Sequence, residues 1–394
     1  MTERLYYQDA YLTEFRAKVV EAGQERRRVY LDRSAFYPAS GGQPGDLGTL
    51  NGVPVIDVID EEDRIAHVLR SPVQEDELAG CIDWARRHDH MQQHSGQHLL
   101  SAVAVELYKA PTLSFHLGQE VSTIDVGVAA LDAGQVAAIE RRANELVFEN
   151  RPVTVSFEDA AAATDLRKPS DRAGELRIVS IRDYDRSACG GTHVRATGEI
   201  GPVLIRKLDK IRGSVRIEFL CGMRAVRRAR ADYDALSQVS RVLASQLDEA
   251  PKLVAVNIER LSETEKTVRK LSADLAVTRG RELYTATAPD ADGLRRNFRR
   301  LASGALDDVL RATAQGFTAS EKAVLVAAID NPPSILVAVS RDTGLHAGNI
   351  VKEAVTANGG RGGGSPVAGQ GSVSDTDALN RVIERLRSGG IVPA

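Results

Sequence analysis

The chain has 394 residues, 43% hydrophobic and 27% charged, the balance of a water-soluble globular protein too long for one ordinary core. A formal net charge of -3 argues against a protein that coats nucleic acid with its whole surface, though one face can still be basic. Three scattered cysteines, no membrane-length apolar run and a start (MTERLYYQDAYL) unlike a secretory signal lead to the expectation of a reduced, cytoplasmic setting away from membranes.

Residues 1–85 read as an antiparallel, barrel-like β domain. Phe15, Ala17 and Val19 alternate with Arg16 and Lys18, and Ile65, His67 and Leu69 resume the period of two. Between them Asn51-Gly52 marks a hairpin, since both residues tolerate positive φ. From Arg86 to Tyr108 only Gly96 interrupts a helical pattern carried by Leu99, Leu100, Val103 and Leu107. A second helix over Gln135 to Phe148 and strands at 153–157, 176–181, 200–206 and 214–220 make residues 86–225 an α+β domain. Ala229, Leu236 and Leu243 then step by seven, and after Ala250-Pro251, a good helix start, so do Val254, Leu261, Val268 and Leu275. That repeat predicts a coiled-coil helical hairpin over 226–288. Residues 289–394 alternate apolar β-like runs (Val324 to Ile329, Ile335 to Val339) with amphipathic helices, an α/β pattern interrupted by GGRGGGSP at 359–366. The whole is a multidomain α+β protein.

One constellation carries chemistry. His94 and His98 stand four apart on the first helix, so their imidazoles share a face one turn apart. Far along the chain, CGGTH sets Cys189 and His193 at the same spacing beside glycines that permit a tight turn. Three imidazoles and a thiolate form a borderline-soft donor set suited to one Zn²⁺ per chain. His90 is also four from His94, and spacing alone leaves a His90/His94 pair open.

These residues resemble a known family. HSGQHLLSA at 94–102 is similar to the HxGQHLL segment of alanyl-tRNA editing domains, and CGGTHVRATGEIGPVLIRK at 189–207 with RIEFLCGMRA at 216–225 is similar to their second zinc segment. FYPASGGQPGDLG at 36–48 resembles the glycine turn of their β domain. GGRGGGSPVAGQG at 359–371 resembles the oligo-glycine segment that ends alanyl-tRNA synthetases. Four motifs in family order make the chain similar to the long type of AlaX protein. The resemblance implies that His94, His98, Cys189 and His193 hold the zinc, which decides against His90. Only 35 residues precede FYPASGGQ, too few for an aminoacylation core, so the expectation is an enzyme acting in trans on tRNA(Ala) mischarged with serine, with glycine as the other candidate.

Further roles follow as expectations. A site that must single out serine needs a partner for its hydroxyl, because alanine then leaves that partner unpaired. Thr112 in TLSFHLG, in a segment resembling the family's substrate-pocket strand, fits that role, with His116 near the ester. In the turn at 40–46, Gln43 and the backbone of Gly41 and Gly42 are expected to approach the acceptor end of the tRNA. Arg206, Lys207, Lys210, Arg212 and Arg216 are candidate phosphate contacts, extended by Arg224, Arg227, Arg228 and Arg230. The C-terminal domain, with Arg361 in its glycine run, is expected by resemblance to bind the outer corner of tRNA and to support a homodimer. Four protein ligands close a tetrahedron, as in structural zinc sites. Either Cys189 or a histidine therefore yields when substrate binds, or the ion positions the ester for attack by water. The sequence leaves both open, and the reading leans to positioning. No catalytic side chain beyond the zinc site is assigned. Two other readings share these segments: an editing site for another aminoacyl-tRNA, as on threonyl-tRNA synthetases, and a non-enzymatic tRNA-binding protein stapled by zinc.

Overall fold

Along Glu77–Ile82, Leu78, Gly80 and Ile82 are buried while Glu77, Ala79 and Cys81 are exposed, the period of two of a half-buried strand. Such strands close a barrel at the N-terminus. The structure, a computed structural model, describes residues 1–23, 25–169 and 173–393, and it divides into two compact units, Met1–Val239 and Ser240–Ala394.

In the first unit, β1 (Glu3–Arg4) pairs in parallel with β4 (Arg33–Ser34). Six strands, β2 (Glu14–Ala22), β3 (Arg28–Leu31), β5 (Gly48–Leu50), β6 (Val53–Glu61), β7 (Arg64–Leu69) and β8 (Glu77–Ile82), form a closed barrel in the order β2-β3-β7-β6-β5-β8. Asn51 and Gly52 take φ of 46° and 78° at the β5–β6 hairpin, as their sequence predicts. Val29, Leu31, Leu50, Ile65, Leu69 and Leu78 fill the barrel core. Within it His67 sets Nε2 2.7 Å from the Ser34 hydroxyl and packs edge-on to Phe36.

Helix α1 (Trp84–Tyr108) follows directly, its N-terminus capped by the Asp83 carboxylate, which accepts from the Arg86 N–H. It starts two residues before Arg86. Leu99, Leu100 and Val103 pack with Ile139 and Leu146 of α2 (Ala133–Phe148). Below them lies the sheet β14-β15-β10-β9, made of β9 (Thr112–Leu117), β10 (Ser122–Val126), β14 (Val203–Ile211) and β15 (Ser214–Cys221). A second sheet joins β11 (Val153–Asp159), β12 (Glu175–Ile181) and β13 (Asp185–Ala188). Several buried polar residues of α1 are bonded to neighbouring segments, Gln92 among them, donating to the Glu199 carbonyl at 2.9 Å. Gln93 clamps the edge of β15, donating to the Cys221 carbonyl at 3.0 Å and accepting from the Cys221 N–H at 2.9 Å. The expected strand at 200–206 begins instead at Val203, after a single 3-10 turn at Thr197–Ile200.

Helix α3 (Gly222–Val242) reaches the boundary between the units, and α4 (Ala250–Ala286) opens the second with Pro251 in its first turn. Val254, Leu261, Val268 and Leu275 are exposed along α4, so a partner for that stripe stays a proposal. The rest of the second unit has three layers. Its sheet, β16-β17-β18-β20-β19, comprises β16 (Arg295–Leu301), β17 (Ala323–Ile329), β18 (Ser334–Val339), β19 (Arg361–Gly364) and β20 (Ala368–Ser372). Val324 and Val326 face α6 (Ala347–Thr356) and α7 (Thr376–Ser388), whereas Leu325 and Ala327 face Phe317 of α5 (Asp308–Thr318) and Leu283 of α4. The glycine run is therefore an edge hairpin of a sheet, β19 with β20, rather than a flexible loop.

Burial pushes the His67 imidazole from 6.5 to about 4. Above pH 6.5 the folded and unfolded forms are both neutral. Below it the unfolded chain takes up a proton that the barrel refuses until pH nears 4, so stability falls as pH drops through this window. This one group should cost about 2 kcal/mol between pH 7 and pH 5. Urea titrations followed by the fluorescence of the single tryptophan, Trp84, should show that much less loss in His67→Gln. An equal loss in the variant would remove His67 from the account.

Candidate metal centre

The centre is built from one helix and one loop. Helical spacing puts His94 and His98 on one face of α1, with ring centroids 5.2 Å apart. The loop after β13 returns Cys189 and His193 to that face, and ligand atoms of all four residues lie within 4.8 Å of one another. The Cys189 Sγ is 3.5 Å from His94 Nε2 and 3.3 Å from His193 Nε2. Ligands around a tetrahedral zinc, with Zn–S near 2.3 Å and Zn–N near 2.05 Å, stand roughly 3.5 Å apart, so the donor set fits such an ion. His90, the rival by spacing, is buried and is not among the four residues whose donor atoms converge.

Burial works against a Cys189 thiolate, but the three imidazoles around it outweigh that and hold the thiol well below its usual range. Burial pushes His193 down to about 3, keeping it a neutral donor. Each imidazole also has an outer neighbour. Gln43 Oε1 lies 2.8 Å from His94 Nδ1, Ser95 Oγ 3.1 Å from His193 Nδ1, and an Asp185 carboxylate oxygen 3.8 Å from His98 Nδ1. Asp185 is itself held by Arg167 at 2.7 Å. Buried Arg177 donates to the carbonyls of Cys189 (2.6 Å) and Gly191 (3.0 Å), shaping the loop. A Cβ on Gly191 would stand 2.2 Å from the His94 ring, so this position must be glycine.

The barrel turn meets this centre directly. Asp46 accepts the Tyr37 N–H at 2.6 Å and forms a fully buried pair with Arg87 of α1, whose Nε lies 2.9 Å from Oδ1. Arg87 also donates to the carbonyls of Ala10 and Ala35. Gly42, at φ +85°, runs against β9: its carbonyl accepts the Leu117 N–H, and a Cβ would stand 2.8 Å from the Phe115 carbonyl.

The structure places the other expected residues unevenly. Gln43 does not reach outward; it is 1% exposed and bonded to His94 and Thr192. Gly41 and Gly42 are exposed at the turn. Thr112 donates to Ser101 Oγ at 2.6 Å, which also accepts from Gln97 at 2.8 Å, on the helix that bears both histidines. His116 is exposed, on the opposite face of β9 from Phe115, which stacks on His94 at 5.3 Å. Arg206, Lys207 and Arg216 already pair with Asp232, Asp209 and Asp125. Lys210 and Arg212, at the β14–β15 turn, are exposed and make no ion pair among the described residues. Arg224 leaves the basic surface altogether: it is buried, held by Asp89 and donating to the Gly118 carbonyl. Arg228 pairs with Asp232, and Arg230 lies over Tyr233. Arg361 is exposed on β19. Sequence reasoning missed Phe115, Ser95, Asp185 and Arg177. Only Ser95, adjacent to His94, carried a positional signal.

A helix and a returning loop thus bring together four side chains positioned to hold a metal ion. Residues 176–218 match the family model described as the threonyl and alanyl tRNA synthetase second additional domain, and residues 300–388 match the DHHA1 domain. The chain is 31% identical to the alanyl-tRNA editing protein AlaX-L of Pyrococcus horikoshii, over 98% of this chain and 99% of that protein. It is 33% identical to the alanyl-tRNA editing protein Aarsd1-B of Xenopus laevis, over 68% of this chain and 70% of that protein. The alanine–tRNA ligase of Pyrococcus abyssi is 30% identical over 98% of this chain, which spans 43% of that ligase. The chain belongs to the alanyl-tRNA editing protein family. Among the described residues no helix is long and apolar enough to cross a membrane.

The purified protein should carry one metal ion per chain, measurable by elemental analysis. A His94→Ala/His98→Ala variant should lose it, because two remaining donors bind too weakly. Full metal content in that variant would overturn the ligand assignment.

Proposed function

We propose that this protein is a cytoplasmic hydrolase that deacylates tRNA(Ala) mischarged with serine, with glycine as the other candidate, acting in trans and using one zinc ion. The observation that carries the reading is the cluster of three buried histidines, His94, His98 and His193, with half-buried Cys189, in a chain that covers nearly all of a relative named as an alanyl-tRNA editing protein. When bound, such an ion polarises an ester carbonyl or activates water for attack. The chain's own residues supply the rest. Phe115 walls His94 on one side, and the turn at Gly41 and Gly42 borders β9, where exposed backbone N–H groups can meet the acceptor end.

Serine is recognised through Thr112. Its hydroxyl hydrogen is committed to Ser101, so its lone pairs remain to accept the hydroxyl of a seryl ester. An alanyl ester leaves them unpaired. His116 has no partner role in this scheme beyond the surface of the strand. Lys210 and Arg212 are the basic pair free to meet phosphates near the editing core, with Arg206, Lys207 and Arg216 exchanging partners to do so. The C-terminal domain, with Arg361 on its glycine hairpin, binds the outer corner of the tRNA and carries the surface through which the protein dimerises.

The test is a deacylation time course on Ser-tRNA(Ala) and Ala-tRNA(Ala), with and without chelator. Rapid, chelator-sensitive loss of serine with alanine spared is the expected result. Thr112→Val then isolates the serine contact. A lost hydrogen bond of about 0.5–1.5 kcal/mol should lower kcat/KM for Ser-tRNA(Ala) roughly three- to tenfold while that for Ala-tRNA(Ala) holds or rises. An unchanged ratio between the two substrates would end the role of Thr112.

A further inference from the structure

We propose that Gln43, contributed by the barrel, is a positioning residue for the metal: it fixes the tautomer of His94 and locks the CGGTH loop to the α1 histidines. The inference rests on the proposed metal reading of the four-residue cluster.

The orientation of the Gln43 amide is over-determined. A backbone N–H only donates, and the Thr192 N–H points at Gln43 Oε1 at 3.2 Å, so that atom is the carbonyl oxygen. The amide nitrogen then donates to Thr192 Oγ1 at 2.8 Å. The same carbonyl oxygen lies 2.8 Å from His94 Nδ1, and a carbonyl cannot donate, so His94 carries its proton on Nδ1. The lone pair is left on Nε2, the nitrogen that faces Cys189 Sγ. Gln43 thus ties together residues far apart in sequence: itself in the barrel turn, His94 in α1 and Thr192 between two ligands of the loop.

Nothing else can take its place. Gln43 and Thr192 are 1% and 0% exposed, so water has no room to replace the amide. Gly191, the residue before Thr192, is packed so tightly that a Cβ there would stand 3.0 Å from Gln43 Oε1. Outer partners of this kind orient the ring and raise its basicity, and removing one typically lowers metal affinity about 10- to 100-fold.

The experiment measures zinc affinity by competition with a chromophoric chelator, which needs no tRNA. Gln43→Met fills similar space without an acceptor and should weaken zinc about 10- to 100-fold. Gln43→Glu keeps an acceptor for His94 Nδ1 and the Thr192 N–H, while the Thr192 hydroxyl reverses to donate. It should therefore bind zinc within about threefold of wild type or more tightly. A space-filling role predicts the opposite order, because glutamate buries a charge and methionine does not. Gln43→Met with wild-type affinity, or Gln43→Glu as weak as Gln43→Met, would overturn the proposal. Should Gln43→Met fail to fold, Thr192→Val removes the amide's second anchor and should weaken zinc in the same direction; unchanged affinity there counts against the proposal too. Absence of zinc binding by the wild type would instead strike the metal reading itself.

Discussion

The buried pair of Arg87 and Asp46 is the constraint on which the first unit depends. Two charges without solvent are costly, and breaking such a pair by removing one partner typically costs about 3–5 kcal/mol. Here the remaining valences are used. Asp46 also takes a backbone N–H of the turn, and Arg87 also donates to carbonyls of Ala10 and Ala35. One guanidinium thus fixes the N-terminal segment, the barrel turn and the first turns of α1 in a single arrangement. That arrangement delivers Gln43 to His94, seven residues along the same helix.

Precision at the centre follows from fitting bulky parts into little space. Gly191 and Gly42 let two backbone segments approach a histidine ring and a β-strand more closely than any side chain permits. Phe115 then closes one side of His94 by stacking. The histidines are accordingly held by packing and hydrogen bonds from three separate segments.

Much of this was legible in the sequence, for physical reasons that differ by element. Helix α1 could be read from its spacing and its histidine pair, and Asn51-Gly52 announced its hairpin through its backbone preference. The two apolar runs of the second unit were legible because central strands are buried on both faces, as β17 and β18 are. Tertiary partners were not legible. Arg224 reads as one more basic residue until Asp89 is seen beside it, and Gln43 reads as an exposed turn residue until His94 closes on it. The glycine run looks like a linker because glycine has low strand propensity; its pairing with β20 is supplied by the sheet rather than by its own residues. His90 and His98 could be told apart by resemblance but not by spacing, since the difference lies in what the returning loop brings to the helix.

The four clustered side chains come from segments far apart: Cys189 and His94 are separated by 95 positions. This separation dictates an order of assembly. Half of the barrel pairings join neighbouring strands, such as β6 with β7, and even the pairing that closes it, β2 with β8, spans fewer residues than the gap between His94 and Cys189. The centre cannot be completed until the chain has been synthesised past His193 and the intervening loop has paid its closure entropy. During that interval α1 presents two histidines and a run of buried-type polar side chains with nothing to receive them. The four side chains can therefore meet only after the second segment has been made, however early helix α1 forms.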